Sequence, residues 1–133
     1  MTIAVAHGET ARAKAALQSA AELAGQRHET LAVLRIVGGV EKPRREDPAL
    51  LEQIGGELAA FPDLKWELHT APEEFDTAEA LLELAEDVDA TILVIGARRR
   101  TPVGKLLLGS MVQRVLLDAQ MPVLVVKAPE TAT

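Results

Sequence analysis

The chain has no cysteine and no tyrosine, and aromatic residues fill only 2% of its 133 positions. Without cysteine there are no disulfides, no thiolate nucleophile and no Cys-ligated zinc or iron–sulfur centre. The scarcity of rings leaves the core to Leu, Val, Ile and Ala, and argues against nucleic-acid readers that stack bases on exposed aromatics. Positive charge is also short: 14 Lys and Arg stand against 20 Asp and Glu, a net charge of −6. Attraction to DNA, RNA or anionic lipid needs the opposite sign, so neither nucleic acid nor membrane is an expected partner. No apolar run approaches the ~20 residues of a membrane span. Ile3–Ala6 is too short for a signal-peptide core, so a cytoplasmic location is expected. His7, His28 and His69 are scattered without metal-ligand spacing.

What remains is an ordinary globular composition, 48% hydrophobic and 26% charged, at a length that suits one core. Residues 1–127 are expected to form a single domain, with 128–133 a frayed polar tail. Short apolar runs occur at Ile3–Ala6, Leu31–Val37, Leu64–Thr70, Ile92–Ile95 and Val123–Val126. Segments with helical patterning separate them. Thr10–Gly25 carries an Ala-rich stripe through Leu17, Ala20, Ala21, Leu23 and Ala24. Asp47–Phe61 opens on Asp-Pro, a cap followed by proline at the first helical position. Asp76–Val88 and Ser110–Ala119 place apolar residues at three- and four-residue spacing.

Strict alternation of strand and helix predicts an α/β, Rossmann-like, five-stranded parallel sheet with helices on both faces. Ile92–Ile95 and Val123–Val126 are apolar without alternation, as in strands covered on both sides. Leu64–His69 alternates cleanly and belongs at an edge, which gives the order 3-2-1-4-5. The uncharged last strand is then the other edge. An apolar edge recruits a partner strand, so a homodimer through Val123–Val126 is expected; the alternative is that Ala128–Thr133 folds back over it.

In such a sheet ligands bind beyond the carboxyl ends of the strands where the order reverses, here between strands one and four. The second loop at that point, Gly96 to Ser110, reads GARRRTPVGKLLLGS. It carries Arg98, Arg99, Arg100 and Lys105 and no acid, inside an acidic chain. Gly109-Ser110 then opens the fourth helix, where unpaired N–H groups and the positive dipole end favour an anion. Glycine, hydroxyl, helix start and local positive charge describe a phosphate site. On composition alone they equally describe a plain helix cap beside a solvated loop. Gly38–Glu46 is polar and of mixed charge, a loop or lid over the strand ends.

The stretch Ile92–Val126 resembles the C-terminal half of the universal stress protein family, whose signature there is glycine, two residues, glycine, nine residues, then Gly-Ser or Gly-Thr. Gly96 and Gly109-Ser110 match at the family spacing; Gln113–Leu116 and Pro122–Val126 are also similar. The strand, Gly8 and Ala-rich helix of the N-terminal part fit more loosely. The resemblance implies the Rossmann-like fold, dimerisation through the last strand and, in one branch, ATP binding. It implies Ile36 beside the base, Gly96 and Gly109 as backbone donors, and Ser110 as a phosphate-bonding hydroxyl. Two positions depart from the ATP-binding pattern: Arg99 replaces the second glycine, and His7 stands where an aspartate normally follows strand one. A residue other than glycine costs about 1–2 kcal/mol where positive φ is needed. A rearranged loop would instead supply Arg98, Arg99, Arg100 and Lys105 as phosphate clamps. His7 is either a ribose contact or a satisfied strand-end residue, and it cannot replace a carboxylate on magnesium.

Competing motifs fail. Gly104-Lys105 is followed by Leu106 where a P-loop needs Ser or Thr. No GxSxG elbow surrounds Ser19 or Ser110, and no GxGxxG follows strand one. Glu83, Glu86, Asp87 and Asp89 form a solvated face rather than an acid–base pair. The sequence therefore supports a stress-response module binding ATP or a related nucleotide. Its alternative is a dimeric interaction protein of the same fold that has lost the ligand through Arg99 and His7. No general base is evident, so any enzyme activity would be at most a weak ATPase.

Overall fold

The computed structural model describes residues 1–37, 48–73, 76–97 and 109–128. Five strands, β1 (Thr2–Ala6), β2 (Thr30–Val37), β3 (Trp66–Pro72), β4 (Ala90–Ala97) and β5 (Val123–Lys127), alternate with four helices. These are α1 (Ala11–Arg27), α2 (Pro48–Glu57), α3 (Thr77–Asp87) and α4 (Ser110–Asp118). All strand pairs are parallel and the order is 3-2-1-4-5, as the alternation predicts.

The period-two geometry of the strands sorts the core into two layers. Ile3, Val5, Leu31 and Val33 pack with Ala16, Leu17, Ala20 and Ala21 of α1 and Ile54 of α2. Ala4, Ala32, Leu34, Leu93 and Ile95 pack on the opposite face with Leu81 and Ala85 of α3 and Val112 and Val115 of α4. Local chemistry sets the helix ends. The Thr10 hydroxyl accepts from the Ala13 amide at 3.2 Å, and Asp76 Oδ1 accepts from the Ala78 amide at 2.9 Å. Helix α1 stops where His28 takes the left-handed conformation, φ 55°, and the Glu29 amide returns to the Ala24 carbonyl at 2.9 Å.

Several boundaries differ from the sequence reading: β3, expected over Leu64–Thr70, runs over Trp66–Pro72, and α1 continues past Gly25 to Arg27. Helix α2 ends at Glu57 instead of Phe61, because Pro62 disfavours helical geometry at the preceding residue; the chain continues in turns closed by Phe61 N–H to Leu58 O at 2.9 Å. The Gly55-Gly56 pair stays helical, and a Cβ at Gly55 would lie 3.9 Å from the Trp66 ring. Strand β4 runs on through Gly96 and Ala97, since β5 keeps pairing with it at Gly96↔Val126 and Ala97↔Lys127. Ala128, assigned to the tail by composition, is buried and continues that ladder by donating to the Ala97 carbonyl at 3.2 Å. The expected lid Gly38–Glu46 and residues 129–133 lie outside the described residues.

Candidate functional site at the carboxyl ends of the strands

Strands β1 and β4 are neighbours at the centre of the sheet, and the connections leaving them run to opposite faces. The order reverses between them, which opens a crevice at their carboxyl ends. Around it stand the His7-Gly8-Glu9 turn, the end of β2 at Ile36, the end of β4 and the first turn of α4.

The α4 turn has the features of an anion site. Gly109 is the N-cap in extended conformation, φ −63° and ψ 162°, and no side chain caps the helix. Its carbonyl accepts the first helical bond, from the Gln113 amide at 3.1 Å. Gly109 and Ser110 are exposed, no acidic residue lies in the first turn, and no described atom comes within 4 Å of a Cβ built on Gly109. The helix is anchored behind this turn by Val112 and Val115, which are buried. Arg114 reaches Asp76 at the start of α3 at 2.9 Å and Asp118 at 3.2 Å. Ile36 is partly buried, and alternation with Ala32 and Leu34 puts it on the α3/α4 side of the sheet with Gly109 and Ser110.

Gly96 has a packing reason of its own. A Cβ there would overlap the backbone carbonyl of Arg12 in the first turn of α1, so the glycine lets helix and strand touch. It sits inside β4, not in the loop after it. Arg98, Arg99 and Lys105 lie outside the described residues.

His7 falls on the other side. It continues the Ile3, Val5 row toward α1 and α2, and its side chain is only 1% exposed. Arg35 Nη1 donates to Nδ1 at 3.0 Å, so the ring hydrogen sits on Nε2 and is donated to Glu57 Oε1 at 2.8 Å. The chain of contacts continues outward. Arg35 Nη1 also donates to Glu9 Oε1 at 3.3 Å, and Gln53 Nε2 donates to the same oxygen at 2.9 Å. The Gln53 bond, with the charge of Arg35 behind it and some desolvation opposing, holds the Glu9 carboxyl below its ordinary range. Gln18 Nε2 donates to the Glu57 carbonyl at 2.8 Å. His7 is thereby a satisfied strand-end histidine that ties α2 to the sheet.

Arg35, Gln53 and Glu57 are absent from the sequence-derived set. One signal was available: alternation along β1 carries His7 onto the face of Ile3 and Val5, away from Ile36. Nothing local to His7 points to Glu57, fifty residues on. Among the described residues no group of three His, Cys, Asp or Glu side chains is placed to hold a metal ion, and no helix is long and apolar enough to cross a membrane.

Comparison with known proteins gives one consistent result. The model of the universal stress protein family matches residues 1–127. A universal stress protein of Mycolicibacterium smegmatis is 38% identical over 108 residues, which span 67% of this chain and 83% of that protein. A solved universal stress protein from Archaeoglobus fulgidus superposes with a TM-score of 0.72 at 28% identity, over 96% of this chain and 98% of that one. A universal stress protein from the same organism, solved in complex with dAMP, superposes with a TM-score of 0.69 at 26% identity over the same shares of both chains.

Proposed function

The chain belongs to the universal stress protein family, and from that premise we propose that it is a nucleotide-responsive stress module taking ATP or a related adenine nucleotide at the strand-end crevice. The observation that carries this reading is the uncapped, exposed Gly109 turn at the start of α4. Its amides and the helix dipole suit a phosphate, and the missing Cβ permits close approach. The Ser110 hydroxyl adds a donor, Ile36 supplies an apolar wall for the base, and Arg98, Arg99 and Lys105 supply positive charge in the sequence between β4 and α4. The dAMP complex of the Archaeoglobus relative supports the ligand class. No role in catalysis is assigned to any residue.

Calorimetric titration of the nucleotide-stripped protein with ATP tests the reading. Saturable binding is expected, weakened at least tenfold by Gly109→Val, which blocks the backbone approach and whose Cβ meets no described atom within 4 Å. Binding that the variant leaves unchanged would put the site elsewhere. The second reading, a dimeric interaction module without nucleotide, is favoured by His7. Its ring is committed to Glu57 and Arg35, so position 7 brings neither a carboxylate nor a free imidazole to the crevice. A flat ATP titration together with an intact dimer selects that reading.

A further inference from the structure

At the other end of the sheet, where β2 and β3 begin, lies a cavity of about 660 Å³. It is walled by the end of α1 (Ala24, Gly25, His28), by the Glu29-Thr30 entry to β2, and by the 60–65 segment that leads into β3. The volume is in the range that takes a small organic molecule. Phe61, Pro62 and Leu64 give it an apolar side.

The opposite side is acidic and incompletely bonded. Glu29 lines the cavity with a side chain only 8% exposed. Its Oε1 accepts a bond from Arg27 Nη2 that is long, 3.4 Å. Its Oε2 is buried and accepts no hydrogen bond; Arg27 Nε lies 3.4 Å away without the geometry of one. A carboxylate removed from water without its full complement of donors is costly, and charge-assisted bonds to a well-seated cation close to roughly 2.7–2.9 Å. Arg27 is nearly half exposed, so it leaves this position for water at little cost. Asp63 adds a second carboxylate, and the negative end of the α1 dipole points the same way. The basic side chains His28 and Lys65, like Asp63, are exposed at the rim.

We propose that this cavity binds a small organic cation, a primary ammonium on an apolar body of about one ring, with the ammonium on Glu29 in place of Arg27 and the body against Phe61 and Leu64. The site is at the far end of the strands from the nucleotide crevice and stands or falls independently of it.

Gly25 provides the decisive variant. It lines the cavity, and a Cβ built on it meets nothing within 4 Å, so a leucine there starts from open space and fills the cavity; an unchanged amide spectrum away from the site checks that Gly25→Leu is folded. The test is an amide-shift titration of the intact chain with phenethylammonium, 2-phenylethanol and 3-phenylpropionate. The cation is expected to shift the Gly25, Thr30 and Leu64 amides saturably, at least tenfold more tightly than the alcohol or the acid. Glu29→Gln should lower that affinity tenfold or more, Gly25→Leu should abolish it, and Arg27→Ala, which removes the internal competitor, should tighten it. Equal responses to the three probes, no response to any, or unchanged binding in the folded Gly25→Leu protein would overturn the assignment. ATP titration of Gly25→Leu should match the wild type, which separates failure of this site from failure of the crevice.

Discussion

With Arg35 on Nδ1 and Glu57 on Nε2, the His7 imidazole has neither lone pair nor hydrogen left to offer a ligand. Its work is architectural: a buried donor–acceptor pair that costs free energy if either partner is lost. The outer end of the same chain of contacts is open to a pH measurement. Glu9 titrates below its ordinary value mainly because Gln53 donates to it. A depressed carboxylate stabilises the folded state above the unfolded value, and that contribution fades as pH falls through the folded value. Gln53→Ala is therefore expected to move the Glu9 side-chain titration upward toward the ordinary carboxylate range, as followed by carboxyl carbon shifts. A titration left where it was would show that Arg35 alone sets it.

At the scale of elements, the contact between the first turn of α1 and the end of β4 is the tightest restraint near the crevice. Gly96→Ala places a methyl group on the Arg12 backbone, where no flexible side chain can yield. Overpacking of this kind costs roughly 1–3 kcal/mol, and the upper end is expected here, read as a lowered urea midpoint. Gly96 substitutions therefore confound any test of phosphate binding, whereas Gly109 is open. The spacing of glycines marks both positions in the sequence but does not distinguish them, because the difference lies in a helix eighty residues upstream. The elements themselves are legible: the three- and four-residue apolar spacing of the helices, and the alternation of Trp66, Leu68 and Glu67 at an edge. Boundaries drift where tertiary pairing outlasts the local pattern, as in β4, or where proline ends a helix early, as in α2.

Taken whole, the molecule has two unlike edges. Strand β3 carries the charged Glu67, hydrogen-bonded to His69 at 2.8 Å, which discourages pairing. Strand β5 instead leaves Leu124 41% exposed, and α4 presents Leu117 at 80%. A homodimer through β5 is the expected assembly, checked by sedimentation at micromolar concentration. Leu124→Lys should shift the population toward monomer, and a wild-type monomer at that concentration would remove the idea. The fold class and strand order follow from sequence pattern because alternation and handedness leave few topologies. The site is less legible, because His7, Arg35 and Glu57 converge only when three elements pack.

Trp66, at the start of β3, packs against the core cluster that includes Ile54 of α2, and this gives the protein an optical label of its own. With one tryptophan and no tyrosine in the chain, near-ultraviolet emission arises almost entirely from that ring. Fluorescence of the unmodified protein thus watches a single seam, where the second helix meets the outermost strand, and is blind to the opposite flank of the sheet.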